Sequence, residues 1–266
     1  MTGIDPLASF SEVGLHVLYK IANATVQHFP FPHLLVPEVF PRDFYAEMRK
    51  RLPPKEAFAT LKSLGRTGYD QQRYILQLTP EEIGGLAEPF RRFWGGIATW
   101  MLGPAFGAPV LRMFDPYLKQ RFGVKDLGAL DFYDEALLVQ DYTTYSLGPH
   151  TDTPSKVLSF LFYLPADDSR PHLGTSMYVP KDPAFTCRGG PHHKFEPFRR
   201  VVTMPYVPNT LFAFLKTDNS FHGVEPVTEE GVRRDLLLYD IRVNMPGEVA
   251  RAAPAGAGAA PVRFSF

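Results

Sequence analysis

From Glu135 onward the chain breaks into short apolar runs separated by glycine and proline, and this punctuation restricts the fold more than any other feature. Residues 136–145, 157–164, 176–179, 201–206, 210–215 and 234–243 each read as a short strand bounded by turn formers such as Pro165, Gly174 and Pro180. Before residue 135 the periodicity is helical. Phe44, Met48 and Leu52 fall on one face of a helix over 42–52, and Phe90, Phe93, Trp94, Ile97 and Met101 do the same over 89–102. Thr79 followed by Pro80-Glu81-Glu82 reads as a capped helix start, residues 109–122 as a helix interrupted near Pro116, and residues 10–29 as a short helix or arm. Helices followed by a series of short strands predict an α+β chain in which the helices pack on an antiparallel double sheet of barrel or jelly-roll type.

No linker divides the 266 residues, and 45% hydrophobic content with 22 Phe and 12 Tyr is enough for one large core. The expected organisation is therefore one domain over 1–266: helical support over about 1–134, the jelly-roll core over about 135–245, and an Ala/Gly/Pro-rich, weakly ordered tail over 247–266. Lys+Arg and Asp+Glu both number 28, which removes the electrostatic case for a nucleic-acid or anionic-membrane partner. Cys187 is the one cysteine, so no intramolecular disulfide forms and a reducing compartment is expected. With no basic-then-apolar N-terminal pattern and no run of about 20 apolar residues, the expected location is cytoplasmic, with no membrane span.

The chemistry concentrates in Gly148-Pro149-His150-Thr151-Asp152. In extended backbone, residues two apart point to the same side, so His150 and Asp152 can reach one ion. A lone His-x-Asp is common by chance, and it gains weight from His222, which follows the strand beginning near Thr210. Two imidazoles and one carboxylate suit Fe(II) and leave positions open for other ligands. His16, His28, His33 and His172 carry no such pattern. Downstream, Arg233-Arg234 opens the last strand, where alternation sends one guanidinium to solvent and the other inward to hold a carboxylate. Residues 181–200, with Cys187, Arg188, His192, His193, Lys194, Arg199 and Arg200, read as a basic lid-like loop; residues 55–76, with Arg66, Tyr69, Arg73 and Tyr74, read as a second functional loop or a solvated connection.

The ordered set His150-Thr151-Asp152, His222 and Arg233 on a strand-rich half resembles the Fe(II)/2-oxoglutarate-dependent dioxygenases. Tyr142, Tyr163-Leu164 and Gly174-Thr175-Ser176 resemble the prolyl-hydroxylase-like branch in particular, and Gly231-Val232-Arg233 resembles its lead-in to the co-substrate arginine. Pro165 and Asn209 depart from that pattern, where asparagine and glycine are frequent. The resemblance implies a double-stranded β-helix of cupin-like, jelly-roll form. It implies Fe(II) on His150, Asp152 and His222, O₂ and 2-oxoglutarate as co-substrates, and Arg233, Tyr163 and Tyr142 as the co-substrate residues. It further implies a hydroxylase acting on an unactivated C–H, with succinate and CO₂ as co-products. Asp152 is acidic where related halogenases carry a small residue, so halide is not expected at the metal. Ser159 and Leu161 would share the inward face with Tyr163. Arg188, His192, His193 and Arg73 are the candidate substrate contacts, and a small molecule is expected over a protein substrate. The alternatives are a metal-binding cupin-like isomerase or sugar-binding module without oxygenase activity, or an interaction domain with incidental histidines.

Overall fold

The computed structural model describes residues 10–66 and 72–245. Tyr69 and the expected tail over 247–266 lie outside the described residues. Among the described residues six helices, α1 (Phe10–Ala22), α2 (Arg42–Lys50), α3 (Pro80–Gly84), α4 (Phe90–Met101), α5 (Pro104–Met113) and α6 (Asp115–Phe122), precede the main run of strands. That run comprises β4 (Phe132–Tyr142), β5 (Leu147–His150), β6 (Lys156–Tyr163), β7 (Ser176–Pro180), β8 (Phe198–Thr203), β9 (Thr210–Leu215), β10 (His222–Val224) and β11 (Arg233–Val243).

The first half is not purely helical. It also supplies β1 (His33–Pro37), β2 (Ala59–Thr60) and β3 (Arg73–Gln77), which extend the larger sheet on both sides. That sheet runs β1-β9-β6-β11-β4-β3-β2, and a smaller one runs β5-β10-β7-β8; the pairings throughout are antiparallel. The segment read as helix over 109–122 is two helices. The first begins at Pro104, after Gly103 adopts φ 133°, a conformation only glycine enters easily, and Pro109 lies within it.

Strand alternation sorts the large sheet into two faces. Leu237, Tyr239 and Ile241 of β11 join Leu158, Phe160 and Phe162 of β6 and Leu211 and Ala213 of β9 in a core under the helices. There α4 contributes Phe93, Trp94, Ile97 and Met101, the stripe its periodicity predicts, and α2 contributes Phe44, Tyr45 and Met48. Rings interlock across the layer: Phe40 with Phe162 at 5.3 Å, Phe44 with Phe93 at 5.4 Å and Phe106 with Tyr239 at 5.1 Å between centroids. Each fully buried ring of this kind stabilises the fold by about 1.5–3 kcal/mol, so the helical layer is a firm backing for the sheet. The opposite face of the same strands, with Arg234, Leu236, Leu238 and Asp240 of β11 and Ser159 and Leu161 of β6, looks toward the smaller sheet and lines a cavity. Two antiparallel sheets closing around an interior, with helices outside the larger one, form a double-stranded β-helix.

Candidate metal centre

The smaller sheet brings the separated histidines together. His150 ends β5, His222 begins β10, and the two residues are direct cross-strand partners. Their ring centroids are 4.3 Å apart, and one ligand atom from each of His150, Asp152 and His222 lies within 4.8 Å of the others. His150 Nδ1 faces Gly148 O at 3.0 Å and His222 Nδ1 faces Ser220 O at 2.9 Å. A carbonyl only accepts, so each Nδ1 carries the proton and each Nε2 presents a lone pair to the shared space. Burial holds both imidazoles below their ordinary value of 6.5, His150 well below, which keeps them neutral and able to ligate near neutral pH. Burial opposes ionisation of Asp152 as well, but the Lys156 ammonium, with the Ser159 hydrogen bond, works against it, and the carboxyl is held well below its usual range. Ser159 Oγ donates to Asp152 Oδ2 at 2.9 Å. Two neutral imidazoles and one ionised carboxylate, all buried, fit a divalent transition metal.

These shifts fix the sign of a pH effect. A histidine whose folded pKa is depressed binds fewer protons in the folded than in the unfolded chain, so its stability contribution is complete above 6.5 and falls as pH drops below it. The thermal midpoint of metal-free protein is therefore expected to fall as buffer pH is lowered from about 8 to about 5.5. A flat midpoint across that range would contradict the burial of two neutral imidazoles.

At the other end of the cavity stand Arg73 of β3 and Arg234 of β11, both bound to Asp141 of β4. Arg73 engages it through Nε and Nη2 at 2.7 and 2.9 Å, and Arg234 Nη1 donates to Oδ2 at 2.5 Å. Arg234 Nε also donates to Leu173 O at 2.5 Å, and its guanidinium is almost fully buried. Thr175 lines the same cavity, with its Oγ1 buried beside the Tyr163 hydroxyl. Tyr163 Oη accepts the Thr175 N–H at 3.1 Å and so fixes that residue's backbone. Between the two ends run Leu161, Leu236 and Leu238, and the enclosed space is about 90 Å³. That is several times the ~10–15 Å³ that one water needs.

Several expected residues lie elsewhere. Arg233 is not the inward arginine: alternation places it with Asp235 on the other face, half exposed, with Nε 3.1 Å from Asp235 Oδ2. Tyr142 is also outside the cavity, because even-numbered positions of β4 face away from it; its ring meets Tyr74 at 5.3 Å, Lys55 Nζ sits 4.2 Å from its centroid, and its hydroxyl donates to Gln140. His193 packs among Phe185, Phe198 and Phe221 instead of facing the cavity. The Arg188 side chain is exposed, and its carbonyl accepts from the buried Lys216 ammonium at 2.7 Å. Of the loop residues, His192 approaches the centre, with its ring 4.6 Å from that of His150.

The lid-like loop is built onto the ligand strand. Thr151, between the two ligands, donates to Cys187 O at 2.7 Å, Cys187 N–H donates to Asp218 O at 2.9 Å, and His193 N–H donates to Pro149 O at 2.9 Å. Two glycines permit this approach. A Cβ at Gly148 would stand 2.1 Å from His193 O, and one at Gly189, where φ is +128°, would stand 2.1 Å from Asp152 O. Lys156, Asp240, Asp141 and Lys216 were not singled out from sequence; the available signal was a charged residue embedded in, or abutting, an apolar strand.

The chain is thus a helix-backed double-stranded β-helix with a buried two-histidine, one-carboxylate set that could hold one metal ion. No protein-family model and no curated protein matches the sequence. Similar solved structures include a prolyl-4-hydroxylase from Pseudomonas putida, at 15% identity and TM-score 0.46 over 88% of this chain and 99% of that one. An oxidoreductase of the 2OG-Fe(II) oxygenase family from Burkholderia pseudomallei aligns at 14% identity and TM-score 0.41 over 91% of each chain. HygX from Streptomyces hygroscopicus, solved with nickel, 2-oxoglutarate and hygromycin B, aligns at 13% identity and TM-score 0.44 over 79% and 82%. Among the described residues no helix is long and apolar enough to cross a membrane.

Proposed function

We propose that this chain is an Fe(II)- and 2-oxoglutarate-dependent oxygenase that hydroxylates an unactivated C–H of a small molecule, with succinate and CO₂ as co-products. The supporting observation is a buried guanidinium, Arg234, lining the cavity that also holds the candidate metal donors. Two guanidinium groups, Arg73 and Arg234, share one carboxylate, Asp141, which is fully buried. Arg234 is held by Asp141 and by Leu173 O, and the Thr175 hydroxyl lies in the same lining. A guanidinium and a hydroxyl in one buried lining suit a carboxylate. A dicarboxylate with a keto acid at its other end would span from there to His150, Asp152 and His222.

In this reading the three ligands hold Fe(II), whose bound chemistry is the reductive activation of O₂ coupled to oxidation of the keto acid. Arg234 and Thr175 hold the far carboxylate, and Tyr163 keeps Thr175 in place through its backbone. Leu161, Leu236 and Leu238 exclude water from the length between. His192 and Arg73 stand where a substrate would enter, and the loop over 181–197, stapled to the ligand strand, walls that side. Arg233 and Tyr142 have no part in it. The cupin-like isomerase or sugar-binding alternative needs no anion site at Arg234.

The test is anaerobic Fe(II) titration with and without 2-oxoglutarate, followed by succinate measurement across a panel of amino acids, sugars and lipids. A weak visible charge-transfer band that requires both components, and succinate formation that requires O₂, are expected. Metal binding with neither band nor succinate would favour the alternative.

A further inference from the structure

Lys156 is placed in the cavity by a local break in strand geometry. Ile241 of β11 pairs with Leu158 of β6, and the next residue, Arg242, pairs with Lys156, so Val157 has no partner. Val157 and Leu158 are consecutive, yet both join the core beneath the helices, as an inserted bulge residue requires. Regular alternation from Ser159 would turn Lys156 outward; the bulge turns it inward, and Lys156 lines the cavity with Ser159, Asp152 and Asp240. The preceding turn is anchored to match. Arg121 of α6 donates to Pro154 O at 2.6 Å and to Lys156 O at 2.9 Å, and Val243 N–H donates to Ser155 O at 2.8 Å.

The ammonium so placed stands between two buried carboxylates, 3.4 Å from Asp152 Oδ1 and 2.9 Å from Asp240 Oδ2. The other oxygen of Asp152 is the one near the histidine, with Oδ2 3.9 Å from His222 Nε2. The two oxygens are thus differentiated. We propose that Lys156 is a positioning residue that retains Asp152 Oδ1 and leaves Oδ2 as the single donor to the metal, keeping open a position that a chelating carboxylate would fill. This inference rests on the proposed function, because an open position matters only if co-substrate and O₂ must both bind. Asp240 compensates the lysine, so the metal end of the cavity carries the net charge of one carboxylate, and a divalent ion with one keto-acid carboxylate brings it to neutrality.

A simpler role would be that Lys156 only neutralises Asp240. Lys156→Met and the double variant Lys156→Met/Asp240→Asn separate the two, since the double variant leaves no uncompensated Asp240 and guards against misfolding of the single one. The probe is Co(II), whose visible spectrum reports coordination without turnover, titrated first alone and then with 2-oxoglutarate. In both variants Co(II) is expected to bind with an altered spectrum and 2-oxoglutarate to bind the Co(II) form roughly 10–100-fold more weakly than in the parent. If the double variant matches the parent in spectrum and 2-oxoglutarate affinity, the positioning role is overturned and the neutralising one stands. If the parent itself binds Co(II) but not 2-oxoglutarate, the proposed function fails and this inference fails with it.

Discussion

Replacing Asp152 with alanine is expected to weaken Fe(II) or Co(II) binding by at least about 100-fold and to remove metal-dependent succinate formation, with the fold retained. The argument is electrostatic. Asp152 is the one anionic member of the candidate set, and the two histidines that remain are held neutral by burial. With the carboxylate gone, a divalent ion would meet two neutral donors and the Lys156 ammonium, whose remaining partner in the cavity is Asp240. Asp152 belongs to no hydrophobic cluster, and Thr151 remains to hold the local backbone, so the thermal midpoint should move far less than metal affinity. Calorimetric titration with Co(II), together with a melting curve of the metal-free variant, separates the two effects. A variant that melts like the parent and still binds metal like the parent would remove Asp152 from the site.

The candidate donor set was readable because each member sits in a local context that the chain itself supplies: a two-residue spacing in extended backbone for His150 and Asp152, and a place shortly after the strand beginning near Thr210 for His222. The helical face of α4 was readable for the same reason, since its apolar stripe is periodic and uninterrupted. The inward arginine was not. The run Leu236-Leu237-Leu238 is apolar at three consecutive positions because both faces of β11 are covered, one by helices and one by the smaller sheet, and a strand buried on both sides carries no parity signal. Choosing Arg233 from the Gly231-Val232-Arg233 spacing therefore had nothing to correct it, whereas the cross-strand partner Asp141, an acid just after the apolar run Ala136-Leu137-Leu138-Val139 of β4, points to Arg234. Lys156 was hidden for a different reason. A bulge is an exception to the period of two, and counting by twos from Ser159 assigns the lysine to the wrong face. His193 shows the converse error, in which a histidine in a basic loop is taken up by an aromatic cluster and never reaches the cavity.

The paired variants Arg234→Met and Arg233→Met should behave in opposite ways, although the residues are adjacent and chemically identical. Arg234 is buried and bound to Asp141 and Leu173 O, so its loss, with Asp141 still held by Arg73, is expected to cost about 1–3 kcal/mol of stability. It also removes the guanidinium proposed to hold the far carboxylate. A buried charge-assisted hydrogen bond is worth roughly 1.5–3 kcal/mol, so 2-oxoglutarate should bind the Fe(II) form about 10–150-fold more weakly, with Fe(II) affinity little changed because the ligands lie at the opposite end of the cavity. Arg233 is half exposed, and its partner Asp235 also receives Arg49 at 3.0 Å. Its replacement should therefore change stability by no more than about 0.5 kcal/mol and leave 2-oxoglutarate binding at the parent value. Both affinities can be read from the anaerobic charge-transfer band, at a temperature where each variant is fully folded. Weakened 2-oxoglutarate binding in Arg233→Met but not in Arg234→Met would mean that strand alternation assigns the wrong guanidinium. Equal, parent-like binding in both would mean that the buried Arg234 guanidinium does not hold 2-oxoglutarate.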